Sequence, residues 1–99
     1  MRIKILPSAL NDLADGRSFY EQQNPGVGDY FLDSLFSDVD SLALYGGIHR
    51  QTSGYFVMLA KRFPYAIYYR MQGDIAIVWR VLDCRRDPAW LRKRLDRTP

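Results

Sequence analysis

The chain has one cysteine, one histidine and no long apolar run, and each shortage narrows what it can be. With Cys84 alone no internal disulfide can form, so a reducing cytoplasm is the expected setting. No base or second thiol accompanies that cysteine in sequence, and it reads as a half-buried strand-end residue rather than a nucleophile. No stretch approaches the roughly 18 apolar residues of a membrane-spanning helix. Met1 to Leu6 runs straight into Pro7, which leaves no apolar core of signal-peptide length. Neither secretion nor membrane insertion is expected. His49 stands alone in a glycine-containing loop and reads as an exposed or capping side chain. Metal-ligand spacing, a Gly-rich phosphate loop and paired carboxylates on a shared helix face are all missing. No metal and no cofactor is expected, and metalloenzyme, nucleotide-binding and glycosidase chemistry is set aside.

What is present is an ordinary globular composition, 47% hydrophobic and 25% charged over 99 residues, enough for one domain with one core. The net charge of +3 conceals a division. Residues 1–49 carry three basic side chains against seven acidic ones, a balance of −4, whereas residues 50–99 carry eleven against four, a balance of +7. That asymmetry points to an anionic partner for the C-terminal half, the alternative being a solvated charged surface with a basic tail.

Arg2/Lys4 alternating with Ile3/Ile5 predicts a short half-buried strand. Pro7-Ser8 opens a helix whose stripe is read as Leu6, Leu10, Leu13, Arg17 and Tyr20, with Gly16 as a weak point. After the turn Asn24-Pro25-Gly26, Val27, Phe31, Leu35, Val39 and Leu42 predict a second helix that Gly46-Gly47 ends. So short a link makes the two helices an antiparallel hairpin. Residues 55–60, 63–70 and 75–82, rich in aromatic and β-branched side chains, predict three strands whose brief connections demand antiparallel neighbours. On the last of them Ile75, Ile77, Trp79 and Val81 are expected on one face, with Ala76, Val78, Arg80 and Leu82 on the other. Both faces are mostly apolar, so each needs a cover: the hairpin on one, and a partner or the final helix on the other. Asp87-Pro88 reads as N-cap and first turn of that helix, which continues through Ala89, Trp90, Leu91 and Leu95. Arg97-Thr98-Pro99 is expected to fray. The expected class is α+β in the order β-α-α-β-β-β-α, with an antiparallel twisted sheet packed on the N-terminal helical hairpin and residues 1–99 forming one domain.

Several side chains stand out as candidate contacts. Arg70 and Arg80 fall on adjacent strands, and Arg85 and Arg86 follow the last strand, where guanidinium forks can meet phosphate or carboxylate. The competing reading for Arg85 and Arg86 is a structural ion pair with Asp83 or Asp87. Tyr65, Ile67 and Tyr69 alternate against Ala66, Tyr68 and Arg70, so tyrosines line the sheet either as core-rim residues or as a contact surface.

The element order, the string Phe63-Pro64-Tyr65-Ala66-Ile67-Tyr68-Tyr69-Arg70 and the string Arg80-Val81-Leu82-Asp83-Cys84-Arg85-Arg86-Asp87-Pro88 together resemble the RelE/ParE toxin superfamily, nearest its ParE branch. The likeness spans nearly the whole chain. Where many relatives carry histidine in the second string this chain has Asp83, so no role of that imidazole transfers. The resemblance implies a toxin of a type II toxin–antitoxin pair, poisoning DNA gyrase on cleaved DNA and arresting growth until a cognate antitoxin neutralises it. Under it, Arg70, Arg80, Arg85, Arg86 and Trp90 are candidate target contacts. Tyr20, Phe31, Leu35, Tyr68 and Trp79 are candidate contacts for an antitoxin segment that folds as it binds.

The RelE branch implies a different activity, mRNA cleavage on the ribosome, which needs proton-shuttling and phosphate-neutralising side chains. At the corresponding positions this chain has Phe56, Met58 and Ala66, with Trp90 or Leu91 in place of a tyrosine. Only Arg85 or Arg86 matches. Action by binding, with no catalytic residue, is therefore the leading expectation. A third reading is a non-toxic basic module that binds nucleic acid through Arg85, Arg86, Arg92, Lys93 and Arg94.

Overall fold

The computed structural model describes residues 1–96; the fraying expected of Arg97-Thr98-Pro99 lies outside the described residues. Its elements are β1 (Arg2–Ile5), α1 (Pro7–Gln23), α2 (Val27–Asp40), α3 (Leu42–Tyr45), β2 (Gln51–Thr52), β3 (Tyr55–Leu59), β4 (Tyr65–Gln72), β5 (Ile75–Asp83) and α4 (Pro88–Asp96). The expected order is present with two additions too short to leave a periodic signal. One is α3, a single turn cut from α2 at Ser41, whose hydroxyl donates to the Asp38 carbonyl at 2.6 Å. The other is β2, turned back onto β3 through Ser53 and Gly54, both at positive φ (53° and 82°), the backbone that a tight two-residue hairpin requires.

The sheet runs β1-β5-β4-β3-β2. β3, β4 and β5 pair antiparallel as their short links demand, whereas β1 joins parallel to β5, making the sheet mixed. The helical hairpin supplies the crossover that a parallel pair needs. One face of the sheet meets the hairpin: Met58, Ile67, Tyr69, Val78 and Val81 bury against Ala9, Leu13, Phe31, Leu35 and Val39. Of the expected second-helix stripe, Phe31, Leu35 and Val39 on α2 are closed to solvent and Val27 is half-buried, while Leu42, also closed, falls in α3. The α1 stripe is shifted: Leu10 is exposed, and Ala9, Leu13 and Gly16 are the buried positions. Gly16 is a contact rather than a weak point, because a Cβ there would lie 2.5 Å from the Phe31 ring. Its missing side chain lets the two helices close up.

The expected alternation along β5 fails at one place. Tyr68 pairs with Arg80 and Tyr69 with Val78, so Trp79 is an extra residue in a β-bulge. Val81 therefore joins Ala76 and Val78 under the hairpin, while Trp79 packs with Leu82, Ala66, Tyr68, Val57 and Tyr55 on the opposite face. That second face is covered in part by α4, through Trp90, Leu91 and Leu95. Asp87 caps α4 as expected, its carboxylate accepting the Ala89 N–H at 3.3 Å.

Beyond the end of β1 the margin of β5 would be left unpaired, and α1 closes it with side chains. The Ser8 hydroxyl donates to the Trp79 carbonyl at 2.6 Å, and the Val81 N–H donates to Asp12 Oδ2 at 3.0 Å. Main-chain groups that would otherwise be orphaned are thereby satisfied.

Candidate functional site

A cleft of about 820 Å³ opens between α1 and the end of β5 with the loop and helix that follow. Ser8, Asn11, Asp15 and Phe19 form the α1 wall, and Arg85, Arg86, Trp90 and Arg94 form the other, with Asp12 and Arg80 between them. Helical spacing of three and four residues puts the first set on one face of α1. The bulge and the Asp87 cap place the second set.

The four arginines are not equivalent. Arg80 is 8% exposed and gives its fork to Asp12, while its third nitrogen reaches the Arg94 carbonyl at 3.2 Å. It positions elements and has no free face for a target, which corrects its expected role. Arg85 is exposed but committed to Asp83, with Nε 3.0 Å and Nη2 2.9 Å from the two carboxylate oxygens. That hydrogen-bonded pairing holds the Asp83 carboxyl below its ordinary range and the Arg85 guanidinium above its own. The ion-pair reading thus applies to Arg85, though its exposed edge can still meet an anion.

Arg86 and Arg94 take no carboxylate among the described residues; both lie over the Trp90 ring, at 4.7 and 4.8 Å from its centroid. Guanidinium planes on an indole keep their edge N–H groups free for an anion, because the ring occupies only their faces. Arg94 was weighed in sequence only as part of a basic patch. Its signal was the i, i+4 spacing from Trp90 on one helix face. Asp12 was missed, and the spacing of Ser8, Asn11, Asp12 and Asp15 along a polar α1 face was its only trace.

The tyrosines and the cysteine near the cleft are held toward their neutral forms. Burial pushes Tyr65 up to about 12, with Tyr20 and Asp83 adding to the effect. Burial likewise raises Tyr20, against the opposing influence of Arg85. Cys84 is exposed as a residue, yet partial burial of its sulfur and then the Asp83 charge push the thiol up, away from the thiolate. His49 is taken elsewhere: its Nδ1 meets the Tyr69 hydroxyl, which also accepts the Gly47 N–H at 2.9 Å. It is half-buried and bonded rather than free. No group of three or more side chains that could hold a metal occurs among the described residues, and no described helix is long and apolar enough to cross a membrane.

Arg70, the remaining candidate target contact, is not in the cleft; it lies exposed on the α4 side of the sheet, 4.4 Å over the Tyr55 ring. The candidate antitoxin contacts scatter more widely. Phe31 and Leu35 are completely buried in the hairpin core and have no surface to offer. Tyr68 and Trp79 are 7% and 3% exposed, in the cluster that α4 covers. These four are corrected for one reason: stripes that look available on an isolated element are consumed by this chain's own packing. Tyr20 alone keeps accessible surface, inside an aromatic cluster with Phe19, Phe31 and Phe63.

A helical hairpin on a mixed sheet, with an arginine-lined cleft beside one tryptophan, defines a small α+β domain. The sequence matches the family described as the ParE toxin of the type II toxin–antitoxin system parDE over residues 3–88, and the chain belongs to that family. It is the toxin component of a type II toxin–antitoxin system. Among solved structures it is similar to a chain of the chromosomal ParDE toxin–antitoxin system from P. aeruginosa, with a TM-score of 0.74 at 17% identity, covering 82% of this chain and 92% of that one. At that identity the likeness speaks for the fold. No curated protein sequence matches the chain significantly.

Proposed function

We propose that this toxin acts by binding, engaging DNA gyrase through the Arg85–Arg86–Trp90–Arg94 wall of the cleft and stalling it on cleaved DNA, and that a cognate antitoxin holds it inactive in the cytoplasm. The observation that carries the reading is the pair of guanidiniums on Trp90 that take no carboxylate among the described residues, a cationic-aromatic surface suited to a macromolecular partner. Membership of the ParE toxin family supports the same direction. Against the mRNA-cleavage alternative, the positions where that chemistry would need basic side chains hold Phe56, Met58 and Ala66, all packed into the two apolar clusters. The test is induction of the toxin followed by parallel readout of DNA integrity and mRNA ends. Gyrase-dependent double-strand breaks with intact transcripts are expected, and codon-positioned mRNA cuts with intact DNA would overturn the reading.

A further inference from the structure

One polar group in the cleft has no partner within the chain. Tyr65 is 7% exposed and lines the cleft, yet its hydroxyl takes part in no hydrogen bond among the described residues. Gly16 leaves that hydroxyl open, because a Cβ at residue 16 would lie 3.2 Å from the oxygen. Nearly all buried hydroxyls are paired, and an exception facing a cleft marks a place for a ligand atom. Asp15 is a second such group. It lines the α1 wall, exposed, with no hydrogen-bond or ion-pair partner among the described residues, whereas Asp12 is consumed by Arg80. Four residues on, along the same helix face, Phe19 is 47% exposed. The other wall carries Arg86 and Arg94, which lie over the Trp90 ring and take no carboxylate among the described residues.

We infer that the cleft holds one unpaired guanine nucleotide, its base on the Phe19 ring with the pairing edge toward Asp15, its phosphate on the edges of Arg86 and Arg94, and one of its oxygens accepting the Tyr65 hydroxyl. The inference rests on the cleft being the toxin's working surface, as proposed above, and adds what occupies it. The two walls argue for that ligand together. A plain polyanion fits the arginines but brings nothing for the Asp15 carboxylate, which repels it. The ligand must therefore carry an anion at one end and N–H donors at the other. Guanine is the one common base with two adjacent N–H donors on its pairing edge, and a carboxylate accepts both. Its flat ring matches an exposed aromatic side chain, the platform on which unpaired bases stack. In a duplex that edge is already used and the ring already stacked, so only an unpaired base qualifies. Burial pushes the Tyr65 pKa up to about 12, which keeps its hydroxyl a donor at any physiological pH. The cleft, at about 820 Å³, lies within the range of small-ligand sites, roughly 300–1,000 Å³. A free guanine nucleotide and a guanine in a strand opened by cleavage share this chemistry.

The experiment is fluorescence anisotropy of a labelled pentanucleotide, one central guanine among thymines, titrated with the folded toxin. Binding should be at least ~10-fold tighter than for the all-thymine strand or for the same guanine in a duplex. Phe19→Ala and Arg86→Glu should each weaken it at least ~5-fold, through lost stacking and lost phosphate contact. Asp15→Ala should erase the preference over thymine while the all-thymine strand still binds. Tyr65→Phe should weaken binding about 3-fold with no change in melting temperature, since no contact within the protein is lost; a purely structural hydroxyl would show the reverse. Lys4→Glu, the same charge change as Arg86→Glu but outside the cleft, should stay within ~2-fold. Phe19, Asp15 and Arg86 are exposed, and circular dichroism confirms the fold of each variant. Competition with guanosine monophosphate separates the two sources. Displacement at concentrations comparable to the strand supports a site for the free nucleotide, and displacement only at far higher ones supports a site for the strand. Failure of both strand and monophosphate to bind, equal affinity for the all-thymine strand, or unaltered affinity in Arg86→Glu overturns the proposal. A gyrase cleavage assay judges the target reading separately: gyrase poisoned by a toxin that binds no nucleotide sinks this inference alone, and strand binding with gyrase untouched sinks the target reading alone.

Discussion

Arg80 and Asp12 meet in a two-pronged ion pair, Nη2 to Oδ1 at 2.7 Å and Nε to Oδ2 at 2.8 Å, with both side chains 9% exposed. The same carboxylate accepts the Val81 N–H, and the same guanidinium reaches the Arg94 carbonyl. One pair therefore ties α1, β5 and α4 together around the cleft floor.

Removing one partner leaves the other charged in a nearly dry site. Arg80→Ala or Asp12→Ala should each cost about 3–5 kcal/mol in urea unfolding. Replacing both with apolar residues of similar size, Arg80→Met with Asp12→Leu, should cost less than either single change. Toxicity of Arg80 variants should track the folded fraction; loss of toxicity in an Arg80 variant of native stability would restore it as a target contact.

Gly16 sets the spacing of the hairpin. A Cβ 2.5 Å from the Phe31 ring must push one helix away, and overpacking of this kind costs about 1–3 kcal/mol. The helix-propensity gain of Gly16→Ala, roughly 0.5–1 kcal/mol, offsets only part of that. A thermal melt should show net destabilisation, reduced when Phe31→Leu is added. A stabilised Gly16→Ala would contradict the packing.

Burial holds the His49 pKa below its ordinary value, and its Nδ1 faces the Tyr69 hydroxyl. The unfolded chain then binds more protons than the folded one between the two pKa values, so stability rises with pH across that window. As pH falls below about 6.5, the His49 contribution should be lost progressively until the lowered folded pKa is passed. Comparing unfolding of wild type and His49→Phe from pH 7.5 to pH 5 measures it. A slope identical in both proteins would remove His49 as the source.

In the cleft, Arg86→Ala and Trp90→Ala should relieve growth arrest at least ~10-fold if they contact the target as hot-spot residues do. For Arg86 this should come with little change in melting temperature, because that side chain is exposed. Arg86→Lys should restore toxicity poorly, since an ammonium keeps the charge but loses the planar fork stacked on the indole. Full toxicity in all three would move the target surface elsewhere.

Much of this fold could be read in the residues. The stripe from Phe31 on α2 to Leu42 on α3, the cap at Asp87 and the tyrosine alternation along β4 are local patterns, and local periodicity is what a sequence displays. Trp79 shows the limit. A single extra residue in β5 flips every later side chain, and nothing in Ala76-Ile77-Val78-Trp79-Arg80 marks where it sits. The candidate contacts fared by the same logic. Arg85, Arg86 and Trp90 converge on one cleft because they follow the strand within seven residues. Phe31, Leu35, Tyr68 and Trp79 were spent on cover that only the assembled chain provides.

By itself the sequence determined the composition of the core, the order of elements, the acidic and basic halves and the kinship carried by its two strings. These depend on each residue's own chemistry and on spacing along the chain. Only the tertiary structure decided how each arginine is engaged: Asp12, sixty-eight residues before Arg80, claims that guanidinium, while Arg86 and Arg94 lie over the Trp90 ring with no carboxylate among the described residues. A charge acts on whatever folding brings within a few ångströms of it, and that distance is not written in the order of the residues.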